Sequence, residues 1–515
     1  MAKFKDKNDL MSTCETYKKN LENWQLLDLV YKSGKELIEH SLYRHPLESP
    51  ENHRARLRDG YVFNFARSIV NVYNFYLNEK EVVRELPGLE KDPVYEMFKK
   101  DTNLFGTDYD VFWNESQKFA SAMGAIGILV NKPGAYSGGE EVSIALGDEI
   151  KDGIYPYYCL YSLLNILDWR FERDSRTHRM YLTYLKLLEK DQSVTVWTPY
   201  DWERWRLNAR TKKPELFEKG VNDLNEVPFI WLKNLTNLQT PEIGDSDILD
   251  IAPIITSIAQ NLSCGEEMIK LAGFPILREP MEETDNLIML EEDEKEETPT
   301  GPRAVKQFNP EHGPAGKPDW MPTEISDPIT ATLDWVDRKI DEIYRIAHLS
   351  GVHAQRRSNN KVASGLSIRY EFSQLNSVLV AKAKNLSEAE LCCLKLWLKW
   401  QGQEEKFKTV EIKRSREFSI DEMAVAMDNA ITSMRNVASK TFRVNVQKKL
   451  ALSVLPDATQ ADKKKILEEI EENTPEKISV EFSATAPTGS NHNVRNAHEA
   501  YADHSDDPPQ PSQAA

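Results

Sequence analysis

Apolar residues recur at intervals of three and four along much of the chain, and in two places the recurrence is long enough to predict rigid helical arms. The first arm opens at Ser326-Asp327-Pro328, where Asp or Ser can cap orphan amides and Pro sits where a missing N–H is harmless. Ile329, Leu333, Val336, Ile340, Ile343 and Ile346 then form one stripe. The second arm runs from about Leu366, with Leu375, Leu379, Leu386, Ala389, Cys393, Leu396 and Trp400 on a near-heptad seam, longer than an average globular helix. At 1.5 Å per residue the arms would span roughly 35 to 50 Å. Between them lies GVHAQRRSNNKVASG, a loop with basic residues and few apolar ones. The pattern fits an ordinary hairpin with a solvated turn, and it also fits a loop held out for use.

Elsewhere the pattern predicts a mixed chain. Residues 1 to about 85 read as helices, with Leu21, Trp24, Leu27, Tyr31 and then Tyr61, Phe63, Phe65, Ile69, Val70, Val72 and Phe75 as apolar faces, and HRARLRDG as a basic surface segment between them. A helix around Val111 to Met123 runs into the apolar GAIGILV. YYCLYSLLNILDW, Tyr157 to Trp169, reads as a further helix, while TVWTPYDWERWRL and VPFIWLKNL read as strands from their aromatic and β-branched content. Asp245 to Lys270 returns to helical spacing, with Pro253 expected in the first turn or at a kink. A Gly/Pro-rich stretch with an acidic run follows, predicting a small irregular or β module set between two helices. Beyond the long arm come a strand in TVEIKRSREFSIDEM, a helix capped by Ser419 with Met423 and Met427 inward, and helices near Ala430 to Leu452 and Ala461 to Glu471. From about Pro487 the composition is too polar to bury a core.

Composition narrows the classes. The chain has 515 residues, 40% hydrophobic and 29% charged, with a formal net charge of −17, enough for several structural units. No stretch approaches the ~20 apolar residues of a membrane span, and MAKFKDKNDL lacks the apolar core of a secretion signal. Five cysteines with no CxxC spacing argue against a disulfide framework or a zinc site and suit a reducing compartment. The acidic balance opposes tight wrapping of nucleic acid, since phosphate affinity comes from Lys and Arg. It is compatible with a wall past which DNA slides.

Catalytic signatures are missing. Gly313-Pro-Ala-Gly316-Lys317 is followed by Pro318 rather than a hydroxyl, with the wrong spacing for a phosphate-cradling loop. His348 and His353 lie five apart across a helix end, and His498 and His504 lie in the polar tail, so no zinc-hydrolase pair is formed. There is no nucleophile elbow, and with 82 acidic residues no carboxylate pair can be singled out. The expectation is a non-enzyme needing neither cofactor nor metal. Trp197, Tyr200, Trp202, Trp205 and Trp231 could stack on bases, although core or cross-strand packing is the commoner use of such residues.

Taken in order, several blocks resemble the portal protein family of tailed double-stranded DNA bacteriophages: RDGYVFNFARSIVNVYNFYL, NEVPFIWLKN, SDILDIAPIITSIAQNLS, then ISDPITATLDWVDRKIDEIYRIAHLSG leading through the basic loop into ASGLSIRYEF. The similarity covers roughly residues 50 to 475 and lies in the succession of blocks. It implies an α+β, mainly α, ring subunit with wing, stem, clip and crown regions and a long helix crossing the wing. On that pattern residues 1–240 are the N-terminal wing, 241–272 a stem helix, 273–325 the clip, and 326–350 the returning stem helix. Residues 351–364 are the tunnel loop, 365–403 the long wing helix, 404–418 a wing strand, 419–480 the crown and 481–515 a disordered tail.

The resemblance implies a homo-oligomeric ring of about twelve subunits at one capsid vertex of the virion, assembled in the host cytoplasm. Its partners would be double-stranded DNA without sequence preference, the terminase large subunit, the major capsid protein and scaffold, and a head-tail adaptor. Arg356, Arg357, Asn359, Asn360 and Lys361 would face the DNA, and Glu291, Glu292, Asp293, Glu294, Glu296 and Glu297 would lie in the clip or channel. The competing classes are a cytoplasmic helical scaffold or adaptor working through the same hairpin, and, third, an enzyme.

Overall fold

The computed structural model describes residues 4–46, 48–133, 153–273, 277–280, 305–308, 319–320, 326–349, 365–416, 418, 439–454 and 460–473. The chain divides into two compact units, Met1–Ser419 and Ile420–Ala515.

The first unit opens with five helices: α1 (Lys7–Leu10), α2 (Glu15–Lys32), α3 (Lys35–Ser41), α4 (Pro50–Asp59) and α5 (Phe65–Asn78). Their starts follow from capping chemistry: Asp6, Ser49 and Asn64 each accept a hydrogen bond from a first-turn N–H. Trp24, Leu27, Ile69 and Val70 turn inward as the spacing predicts, Leu77 is buried with them, and Tyr61, Phe63 and Phe75 stay exposed. HRARLRDG is not a surface segment throughout. It forms most of α4, and Arg56 is buried, donating to Glu48 Oε2 at 2.8 Å and Ser263 Oγ at 3.1 Å. Burial alone would raise the Glu48 pKa, but the Arg56 guanidinium, the His45 N–H and His53 together hold the carboxyl below its ordinary value.

Next come β1 (Val83–Glu85), α6 (Pro93–Lys100), α7 (Tyr109–Met123) and β2 (Ala125–Asn131). GAIGILV supplies most of β2, and it is apolar throughout because both its faces are covered. Ala125 and Leu129 join one core with α2 and α5, while Ile126, Ile128 and Val130 join a second with α6 and α7. The segment expected as a helix, Tyr157 to Trp169, is two strands, β3 (Tyr157–Ser162) and β4 (Ile166–Arg173), joined by a 3₁₀ turn at Leu163–Asn165. Its continuous apolar run carries no clear period. Tyr157 through Ser162 find their partners in β2, with Asn131 opposite Tyr157 and Ile126 opposite Ser162.

The strands β5 (Met180–Leu188), β6 (Val194–Trp197), β7 (Asp201–Leu207) and β8 (Pro214–Val221) extend β4 into a five-stranded antiparallel meander. Strand β9 (Phe229–Lys233) returns to the other edge of β2. There the backbone is tightly apposed: a Cβ on Gly244 would sit 2.4 Å from the Leu235 carbonyl oxygen and 2.6 Å from that of Gly124, which itself has φ +91°.

Helix α8 (Ala252–Gly273) starts one residue before Pro253, later than the Asp245 expected from spacing, because Pro fixes the first turn and residues 249–251 form the turn leading into it. After α8 come three short strands, β10 (Leu277–Pro280), β11 (Val305–Phe308) and β12 (Asp319–Trp320). β10 lies between the others, parallel to β11 and antiparallel to β12. Helix α9 (Ser326–Ile346) then runs antiparallel to α8, with Lys339 Nζ donating to Ser257 Oγ at 2.7 Å and Thr332 beside Gly265.

Helix α10 (Gly365–Trp400) has 36 residues, about 54 Å at the standard rise. Leu375, Leu379 and Ala383 pack in the first core, and Leu386, Ala389, Cys393, Leu396 and Trp397 in the second. Of the strand expected over 404–418, only β13 (Glu411–Lys413) forms among the described residues, antiparallel to β1. Glu404–Thr409 is a 3₁₀ turn.

In the second unit α11 (Lys440–Val454) and α12 (Gln460–Asn473) are linked by an ion pair from Lys448 to Glu471. The expected helix from Ser419 with Met423 and Met427 lies outside the described residues, as does the tail after Pro487.

Replacing Gly244 by Ala forces a methyl group against two backbone carbonyls that cannot rotate away. The expected cost is roughly 1–3 kcal/mol, read as a lower thermal midpoint, while Ala at Gly265, inside α8 and with its nearest contact at 4.0 Å, leaves the midpoint at or above that of the wild type.

Candidate functional site

The basic loop is bracketed by two defined ends. Helix α9 finishes in a paired C-terminal motif, with Leu349 N–H bonded to Tyr344 O at 2.8 Å and His348 N–H to Arg345 O at 3.1 Å. His348 has φ 54°, the left-handed position that usually takes Gly, and Leu349 is buried after it. Tyr73 Oη adds a hydrogen bond to the Ala347 carbonyl at 2.6 Å. The chain next enters the described structure at Gly365, already helical. Arg356, Arg357, Asn359, Asn360 and Lys361 lie between these points and outside the described residues. So do Glu291, Glu292, Asp293, Glu294, Glu296 and Glu297, between β10 and β11.

What the structure does bring together is a set of buried charges on α10 that the apolar seam left unread. Lys382 is 1% exposed and Glu390 0%, values at which an unpaired charge would be prohibitive. The Lys382 ammonium donates to Asp247, to Asn234 Oδ1 at 3.0 Å and to Ser121 Oγ at 3.3 Å, so its three N–H groups have three acceptors. Its Nζ also lies 4.5 Å from the Tyr73 ring centroid. Asn234 in turn donates to Asp247 Oδ1 and the Asp245 carbonyl, both at 3.0 Å. Burial pushes the Lys382 pKa down, and Asp247 acts against it. The same burial, with Asp247 nearby, raises the Tyr73 phenol.

Two turns further on, Glu390 accepts from Arg84 Nε at 2.6 Å and pairs with Arg414 Nη2 at 2.5 Å. Arg84 also reaches Asp110 at 2.7 Å and lies 5.1 Å from the Tyr109 ring centroid. Burial opposes its charge, but Glu390, Tyr109 and Asp110 together raise its pKa. These contacts fasten α10 to β1, α7 and the segment after β13. The sequence held one sign of this arrangement: Lys382 fills the heptad position between Leu379 and Leu386, a charge in a seam otherwise apolar.

The aromatic cluster separates. Trp197 is buried and stacks on its cross-strand partner Trp202 at 5.9 Å, and Trp231 lies between Trp169 and Phe229 at 5.3 and 5.2 Å. Trp205 packs against the core and donates to Glu203 at 3.1 Å. Tyr200 alone among the five is strongly exposed, at 71%, so no continuous stacking platform is formed. Among the described residues no group of three or more His, Cys, Asp and Glu could hold a metal, and no helix is long and apolar enough to cross a membrane.

No family model matches the chain, and no curated protein does. Among solved structures, it is similar to a chain in the neck of an empty GTA particle computed with C6 symmetry, at 12% identity and a TM-score of 0.39, covering 85% of this chain and 99% of that one. It is likewise similar to a chain in the virion of a native gene transfer agent particle, at 11% identity and a TM-score of 0.37, covering 84% and 98%.

Lys382→Met strands the Asp247 carboxylate in the core and should lower unfolding free energy by about 3–5 kcal/mol. Adding Asp247→Leu should recover most of that loss, because the second charge goes with the first. Urea melts of the single and double variants measure the difference.

Proposed function

We propose that the chain is a portal subunit: a member of a closed ring at one capsid vertex, through which double-stranded DNA enters and leaves. One observation carries this reading. Two antiparallel helices, α8 and α9, flank a separate small sheet, and the second of them leads through a basic loop into a 36-residue helix seated in two cores. That succession supports assigning α8 and α9 to the stem, the β10–β12 module to the clip, and α10 to the helix that crosses the wing.

In a ring, the basic loop repeats around the axis. Arg356, Arg357 and Lys361 would then form a collar touching phosphates without reading bases, within a chain whose net charge of −17 keeps DNA from adhering along its length. Asn359 and Asn360 lie in the same loop. The acidic run Glu291 to Glu297 belongs to the clip, the region that would meet the terminase large subunit during packaging and a head-tail adaptor afterwards. Capsid protein and scaffold would meet the outer surface. The reading places the protein in the virion after assembly in the host cytoplasm, and gives it no catalytic step.

The decisive measurement is native mass and negative-stain microscopy of the purified chain. A closed ring of about twelve copies with a central hole is expected, whereas monomers or small oligomers would favour a helical adaptor. Within assembled rings, replacing Arg356, Arg357 and Lys361 together by Ser should leave assembly intact and alter the length or retention of packaged DNA. Unchanged packaging would refute the collar.

A further inference from the structure

Helix α9 buries Val336 and Ile343 along one face, with Ala347 buried just past its end, and its two flanks beside that face differ. Leu333 and Trp335 are 54% and 53% exposed, and at 100° per residue they point about 200° apart around the helix axis. Asp337 and Asp341 share the flank of Leu333. Arg338 and Lys339 share that of Trp335. Lys339 Nζ lies 5.4 Å from the Trp335 ring centroid, and a cleft of about 370 Å³ opens beside that ring, lined also by Pro253, Ile254, Ser257, Arg338 and Glu342. Glu342 is held by Arg345, which donates to it at 2.8 Å. One flank is thus an apolar knob with acidic neighbours, the other an apolar slot with basic ones.

A partner of different sequence would need only one of these surfaces, and a two-fold dimer would press like against like. Complementary surfaces on opposite flanks of one element are what a head-to-tail contact between copies requires. We infer that a second copy of this chain docks here, the Leu333 flank of one subunit seating in the Trp335 cleft of the next, with Asp337 and Asp341 facing Arg338 and Lys339. The inference rests on the ring reading and adds the direction and residues of one subunit contact.

Leu333→Glu removes the knob and Trp335→Glu the slot. Both positions are more than half exposed, so circular dichroism and melting of the separate chains should match the wild type. Each variant should lose about tenfold or more of its ring population. An equimolar mixture should give one-to-one dimers and nothing larger, since each pair has one intact junction and two dead ends. Ring populations in both variants equal to that of the wild type, or a mixture that stays monomeric, overturn the contact. Absence of rings from the wild type overturns the ring reading itself. Should either variant fold poorly, Asp337→Arg, at an exposed position, serves instead: it should weaken assembly, and adding Arg338→Asp should restore it. Assembly indifferent to both changes overturns the inference.

Discussion

The buried pair between Lys382 and Asp247 constrains where α10 can sit. An ammonium and a carboxylate in a site closed to water have surrendered most of their hydration, and only close contact with each other and with Asn234 and Ser121 offsets that loss. The pair sits close to where α10 leaves one core for the other, next to Ala383 in the first core and one turn before Leu386 in the second. A hydrophobic seam by itself tolerates a slip of one heptad. With Lys382 in it, a slip would set a charge against apolar side chains, so the register of the helix is fixed at one point.

Glu390 repeats the device further along, and the two sites act together. Through Asp247 and Asn234 the first ties α10 to the turn before α8 and to the end of β9. The second, through Arg84 and Arg414, ties it to β1 and the segment after β13. The helix is clamped along its C-terminal half, and its N-terminal end leads directly to the basic loop. A force on that loop would act on a lever whose pivot is a pair of buried ionic contacts.

The helices were largely legible because their apolar positions repeat with the period of a helix and their caps are strong: the α9 stripe, the α10 seam and the Pro253 boundary all follow from local chemistry. The β3–β4 segment was not, since YYCLYSLLNIL is apolar without a period and its state is decided by pairing with β2 across the chain. Arg56 misled for a related reason. A basic residue among basic residues reads as surface, and its burial depends on Glu48 and on Ser263, the latter far away in sequence. The buried charges of α10 left only the interruption at Lys382 as a trace. The eleven residues assigned to the loop and the acidic run lie outside the described residues, so their roles rest on sequence and on the arms that flank them.

The short sheet between α8 and α9 has an architectural consequence. Leu277, soon after α8, is paired with Trp320, shortly before α9, so the chain leaves and rejoins the helical pair at one place. Residues added or removed between β10 and β11 change the length of a connection whose ends are already fixed, and the closure cost of a flexible connection grows only slowly with its length. This part of the protein can therefore be exchanged between variants as a cassette, and new binding surfaces can be carried there without altering the spacing of the helices beneath.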